Sequence, residues 1–322
     1  MDPAHFFAAS RLVIVAGKGG VGKTTVTAAL ARAAARTGLR SLIIEVEADS
    51  GLAAVFGQAP LTYDEVELHS GFANGEADIR GRTITPDDAL LEYLRDHGLS
   101  RISRRLVASG ALDVVATAAP GIRDILILGK VKQLERAGAA DLLLLDAPAA
   151  GHAITFLLST RGLLDAVKVG PIATQARDVL EMLTDADRCQ VVLVTLPEET
   201  PVNEVIETAF HLEDRVGVAL GPMVVNGLYP GVDGLDVDPA AAADEAGTAL
   251  RPGEAAVLAD AAEFRRRRIA LQEEQLARLA DGLPLPQIRL PFVFTADIGP
   301  DDVEALADAL LAGVEPLEGL TR

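Results

Sequence analysis

The sequence predicts an α/β fold in which a mostly parallel sheet is flanked by helices and interrupted by a helical insertion. Three observations predict it. Short apolar runs, Leu12 to Ala16, Ser41 to Val46, Leu142 to Leu145, Val191 to Thr195 and Pro222 to Val225, are largely continuous rather than alternating, as strands covered on both faces are. Stretches of helical character separate them, the arrangement of a sheet wrapped on both sides. The third observation is a cluster of glycines between the first run and the Ala-rich stretch Thr25 to Arg36, which gives the order strand, loop, helix.

Along the chain, the mixed, glycine-rich stretch from Thr62 to Thr85 reads as short edge strands. From Pro86 to about Arg136 the pattern is helix upon helix: Asp87 and Asp88 follow a proline as N-terminal signals, and Leu90, Leu91, Leu94, Leu106, Val107, Leu112, Val114 and Val115 show no strand alternation. Residues 86–136 are therefore expected as a helical insertion, with 1–85 and 137–322 forming the α/β domain. A long helix is predicted from Gly253 to Leu279, and Pro284 to Phe294 reads as a last strand with a Pro-bounded loop. There is no internal repeat and no long disordered linker.

A chain of 322 residues, 49% apolar, can bury a substantial core. Its net charge of −18 disfavours nucleic acid and anionic lipid as partners. The one basic run, Arg265 to Arg268, falls in the predicted long helix with Glu263, Glu273 and Glu274 nearby, and reads as a solvated or salt-bridged face. A single cysteine, Cys189, cannot by itself make a disulfide, a thiolate zinc site or an iron–sulfur cluster, which points to a reducing cytosol. Met1 to Ala16 lacks a basic start and Arg11 interrupts its apolar stretch, unlike a signal peptide. No apolar run reaches the ~20 residues that span a bilayer, so no membrane anchor is expected and the location is read as cytoplasmic.

The chemistry concentrates in Gly17-Lys18-Gly19-Gly20-Val21-Gly22-Lys23-Thr24-Thr25, which fits G-x-x-x-x-G-K-[ST] in the strand-to-helix context that motif requires. Glycines let successive backbone N–H groups turn toward phosphates, and the helix start near Lys23 adds its dipole. Lys23 is expected on the β- and γ-phosphates and Thr24 on Mg²⁺. A second acid is needed near the cation, and Asp146 supplies it at the end of Leu142-Leu143-Leu144-Leu145. It is followed by Ala147-Pro148-Ala149-Ala150-Gly151-His152, where Gly151 is positioned to present its N–H to a γ-phosphate. His152 reads as a packed helix residue, and five scattered histidines offer no zinc spacing.

Lys18 has no task in the ordinary phosphate-loop scheme. With it, the ordered segments Pro120-Gly121-Ile122, Asp146 to His152, Pro197-Glu198, Val224-Val225-Asn226 and Pro291-Phe292 make the chain resemble the deviant Walker A P-loop ATPases. Within them it is similar to the arsenical-pump and tail-anchored-protein-targeting family, and to the bacterial, actinobacterial-type branch of anion-transporting ATPases. The resemblance covers nearly the whole chain. It implies an ATP hydrolase with Mg²⁺, closing as a nucleotide-sandwich dimer with itself or a paralogous subunit and acting on a client protein. It further implies that Lys18 crosses to the partner's phosphates and that Asn226, Pro291 and Phe292 contact adenine.

The family's first switch is Asp-Pro-Ala-His, with the Asp orienting the attacking water. Here the matching stretch is Glu47-Ala48-Asp49-Ser50, which puts Glu47 at that position. Its extra methylene moves the carboxylate by roughly 1 Å, a displacement that costs on the order of a hundredfold, so slow turnover is expected. Asp49 is the competing candidate, since side chains at i and i+2 of an extended segment point the same way. The string Asp2-Pro3-Ala4-His5 precedes the loop and is a chance match. One cysteine supports neither the arsenite site nor the paired-cysteine zinc site of the family, and three methionines are few for a groove that takes transmembrane helices.

Two rivals remain. One is a nucleotide-binding regulatory subunit that hydrolyses weakly beside a paralogue, which the altered first switch favours. The other is a partitioning or division-site ATPase, which the acidic stretch from Asp301 to Arg322 disfavours.

Overall fold

Every continuous apolar run forms a strand in the structure, a computed structural model that describes residues 1–46, 51–71, 75–96, 121–148 and 150–317. The first half runs α1 (Pro3–Phe7), β1 (Leu12–Gly17), α2 (Lys23–Arg36), β2 (Ser41–Glu45), α3 (Leu52–Val55), β3 (Val66–His69), β4 (Ile79–Thr83), α4 (Pro86–Asp96), α5 (Ile122–Ala137) and β5 (Leu142–Asp146). The second half runs α6 (Ala150–Ala166), α7 (Pro171–Thr184), β6 (Cys189–Thr195), α8 (Glu199–His211), β7 (Ala219–Leu220), β8 (Met223–Leu228), α9 (Pro239–Glu245), α10 (Glu254–Gly282), β9 (Gln287–Pro291) and α11 (Pro300–Val314).

Among the described residues the strands form one sheet in the order β3-β4-β2-β5-β1-β6-β8-β9, with β7 also paired to β6. Among these described strands only β3 pairs antiparallel, against β4. The edge expectation for Thr62 to Thr85 therefore holds for β3 alone: β4 also pairs with β2, and Ile79, Gly81, Arg82 and Thr83 are buried there.

The continuous strands divide their side chains between two cores. Leu12, Ile14, Leu143, Leu145, Val191 and Leu193 face one layer with Leu128 and Val131 of α5, Phe156 and Leu157 of α6, Val205 of α8 and Leu279 of α10. Val13, Val15, Leu142, Leu144, Val192 and Val194 face the other, against α2, α11 and Phe6 and Phe7 of α1. Period-two orientation of strand side chains makes both faces apolar where helices cover both sides. The alanines of α2 are all fully buried, so that helix lies close on the sheet and holds the loop before it in place.

The Asp2-Pro3-Ala4-His5 string is a capped helical turn, in which the Ala4 amide donates to the Asp2 carboxylate at 2.9 Å. The expected insertion is bounded by α4 and α5, while residues 97–120 within it, Pro120 included, lie outside the described residues. The basic run on α10 is salt-bridged, as its composition suggests: Arg266 and Arg267 each reach Glu263 at 2.6 Å, Arg266 also reaches Asp236, and Arg268 pairs with Glu198. Cys189 is fully buried, and burial pushes its thiol up, keeping it protonated. Among the described residues no helix is long and apolar enough to cross a membrane.

Candidate nucleotide site

The first strand delivers the glycine loop to the middle of the sheet. Gly17 closes β1 opposite Val194 of β6, where a Cβ would run into the Val194 carbonyl oxygen; only glycine permits that approach. Gly22 has φ +87°, and it starts α2 with no side-chain cap. Gly20 shares the left-handed conformation, with φ +86°. Gly19 and Gly20 are exposed while Val21 is buried, so the loop is anchored at Val21 and open at its crest. An uncapped helix start beneath such a loop favours an anion.

Lys23 opens α2 and folds back over the loop, its Nζ donating to the Lys18 carbonyl at 3.3 Å. One residue on, the Thr24 hydroxyl donates to Asp146 Oδ2 at 2.7 Å. This contact spans 122 residues of sequence and exists because β5 lies beside β1, with Asp146 in register with Val15. The two oxygens are hard donors of the kind Mg²⁺ takes. Thr25 follows in the same first turn, half-buried.

Asp146 is also in register with Glu45 of β2, a residue that sequence reasoning did not select. Glu45 is buried and accepts a 2.6 Å hydrogen bond from Thr83 of β4. Two carboxylates thus close adjacent central strands. The signal was available, since an acid ends the apolar run Leu42-Ile43-Ile44 as Asp146 ends its own. A second unselected residue is Glu204 of α8, whose Oε1 lies 2.7 Å from Lys18 Nζ.

On the far side of the loop, Asn226 of β8 donates from Nδ2 to the Val21 carbonyl at 3.0 Å and packs against Gly22. Pro291 ends β9 in register with Leu228 of β8. The Phe292 amide donates to the Leu228 carbonyl at 2.7 Å. Asn226, Pro291 and Phe292, read separately from sequence, therefore sit at the ends of two neighbouring strands. Phe292 stacks with Tyr229 and Phe294, ring centroids 5.0 and 4.8 Å away. Gly151 lies in the first turn of α6, five residues after Asp146 ends its strand. Glu47 and Asp49 lie outside the described residues.

The family model for anion-transporting ATPases matches residues 10–168, a span that holds the glycine loop, Asp146 and Gly151. ATPase BagA of Mycobacterium tuberculosis is 32% identical over 302 residues, 88% of this chain and 87% of that protein. ATPase get3 of Botryotinia fuckeliana is 27% identical over 66% of this chain and 58% of its own length. The arsenical pump-driving ATPase of Escherichia coli is 27% identical over 67% of this chain and 34% of its own length. A glycine loop at a central strand end, a threonine hydroxyl on an aspartate four strands later in sequence, and relatives that share this span converge on one assignment: the chain belongs to the anion-transporting ATPase family.

Proposed function

We propose that the chain is a Mg²⁺-dependent ATP hydrolase that closes as a nucleotide-sandwich dimer, with itself or a paralogous subunit, and couples ATP binding to an unidentified client. The observation that carries the reading is the 2.7 Å contact of Thr24 with Asp146 beneath the open glycine loop. It joins a hydroxyl and a carboxylate where a phosphate-bound cation needs both.

In this reading the amides of Gly17, Lys18, Gly19, Gly20, Val21, Gly22, Lys23, Thr24 and Thr25 cradle the phosphates, and Lys23 neutralises the β- and γ-oxygens. Held by Thr24 and, beyond it, Asp146, Mg²⁺ would supply further charge neutralisation on the same oxygens. Glu47, or Asp49 in its place, orients the water whose oxygen bonds to the γ-phosphorus as the bond to the bridging oxygen breaks, releasing ADP and phosphate. Gly151 offers its amide to the γ-phosphate, so that loss of that group is felt at the start of α6. Lys18 acts on phosphates across the dimer, and Asn226, Pro291 and Phe292 hold adenine. Helices of the 86–136 segment carry the change to the client. The protein works in the cytoplasm without nucleic acid, membrane anchor, arsenite or zinc.

Calorimetry with Mg-ATP on the parent chain, Lys23→Ala and Thr24→Ala tests the reading, together with single-turnover hydrolysis. Lys23→Ala should abolish binding, and Thr24→Ala should remove its dependence on the cation. Unchanged ATP affinity in Lys23→Ala would sink it. Binding without hydrolysis, alone or with any paralogue, would leave a regulatory subunit in its place.

A further inference from the structure

Lys18 and Glu204 are 186 residues apart and meet through the sheet. Gly17 is in register with Val194, and the chain leaves β6 through Pro197 and Glu198 directly into α8. That turn sets Glu204 beside the loop, with 2.7 Å between its Oε1 and Lys18 Nζ. The side chains are 42% and 40% exposed, so the pair is accessible to a competing anion. The second carboxylate oxygen, Oε2, is buried and has no hydrogen-bond partner among the described residues. Lys18 is thus the donor on which this carboxylate depends.

The pairing has a cost for the loop's chemistry. An ammonium is a compact charge, and one turned toward α8 is not turned toward phosphate. A carboxylate left half-buried without its donor is unfavourable in turn. Such a helix will register the loss, because α8 and the residue that caps it are fastened to α10 at two other points: Glu198, the cap, to Arg268, and Asn203 Oδ1 to Arg278 Nη2 at 2.6 Å.

We propose that Glu204 is a positioning residue that holds Lys18 against α8 in the empty chain, so that Lys18–Glu204 pairing and phosphate contact by Lys18 exclude one another. This inference rests on the nucleotide reading above. Nucleotide withdraws Lys18, and α8 loses its tie to the loop while keeping its ties to α10. The apparent affinity for nucleotide is then reduced by the fraction of chains in the paired state.

The experiment is a double-mutant cycle. Affinity for Mg²⁺ with a nonhydrolysable ATP analogue is measured by calorimetry for the parent, Glu204→Gln, Lys18→Ala and the double variant, at low and high salt. Releasing a half-exposed pair should tighten binding in Glu204→Gln by about two- to fivefold, less at high salt. The gain should vanish when Lys18 is already alanine. Unchanged or weaker binding in Glu204→Gln overturns the inference. So does an equal gain in the Lys18→Ala background, because that is a carboxylate repelling phosphate through space with no part for the lysine. A parent that binds the analogue with a flat cycle overturns this inference alone; a parent that does not bind overturns the nucleotide reading and this inference with it.

Discussion

Around the glycine loop, polar side chains find partners inside the chain: Thr24 with Asp146, Thr83 with Glu45, Asn226 with Val21 and Lys18 with Glu204. The face built by α9, the first half of α10 and the turn after β9 is the opposite case. There Val257, Phe264 and Phe294 are 68%, 63% and 62% exposed, and Phe264 and Phe294 line an open cavity of about 550 Å³ with Val232, Leu235 and Leu258. At the loop, position is fixed by strand register and by glycines that tolerate no Cβ. On the distal face, position is fixed by little beyond the helix itself. The difference teaches that substitutions near the site should act through the sheet, whereas those on the distal face outside its aromatic cluster should leave stability almost untouched.

The largest expected effect is in the strand that carries Asp146. Leu144 is fully buried in β5, two residues before that aspartate, and Leu144→Ala should cost about 2–5 kcal/mol. Urea denaturation measures it. A loss below about 1 kcal/mol would mean that the sheet under the site is no better packed than the distal face. Next is Gly17→Ala, where the new methyl meets backbone rather than a flexible side chain. Overpacking of this kind costs about 1–3 kcal/mol, and because the clash lies between β1 and β6 it should also weaken Mg-ATP binding. Full affinity in a destabilised Gly17→Ala would separate the loop's function from its packing.

A smaller effect, governed by pH, belongs to the edge of the sheet away from both regions. Buried Arg32 on α2 reaches Glu76 at 2.7 Å, His69 at 3.0 Å and Glu304 of α11. Its hydrogen bond outweighs burial and holds Glu76 below the usual carboxylate range. Burial opposes the same shift at Glu304, but the bonds from Arg32 and Arg36 together prevail. Both folded-state pKa values lie below the unfolded ones. Their stabilisation is therefore complete above the ordinary carboxylate range and is lost as pH falls through the folded values. Melting temperature should drop on acidification from pH 7, and less steeply in Glu76→Gln than in the parent. Equal slopes would show that this network does not set the acid limit.

How much of this was legible follows the same division. The phosphate loop could be read because its meaning is local: nine consecutive residues specify a turn, a cation and a helix start. An acid that ends a strand is by itself a common cap or turn, and Asp146, which meets Thr24, stood out because Ala147 to His152 follows it. Glu45 shows the same pattern and passed unselected, because sequence does not say that β2 and β5 are neighbours in register. Glu204 left no local trace at all, since its contact depends on β1 pairing with β6. The stretch after Pro300, read for its charge, hides a helix. Val303, Leu306, Ala307, Leu310 and Val314 recur at helical spacing and are buried against α2, while the acids that dominate the composition fall between them.

The smallest expected effect discriminates within the distal face. Phe264 and Phe294 are about equally exposed, and surface accounting alone would rank their loss as equal. Their neighbours differ. Phe294 lies 5.4 Å from Tyr229 and 4.8 Å from Phe292 between ring centroids, and Arg265 stands 5.4 Å over its ring. Such ring contacts contribute about 0.5–1.5 kcal/mol beyond area, so Phe294→Ser should destabilise by roughly that much. Its cluster includes Phe292, the expected adenine contact, and nucleotide affinity should fall with it. Phe264 has no ring contact among the described residues, and Phe264→Ser should change stability by less than about 0.5 kcal/mol and leave nucleotide binding alone. Thermal melts and calorimetry on the two variants decide the matter. Equal effects would mean that the aromatic cluster is no more organised than the surface beside it, and that the contrast between loop and distal face begins at Asn226 rather than beyond Phe294.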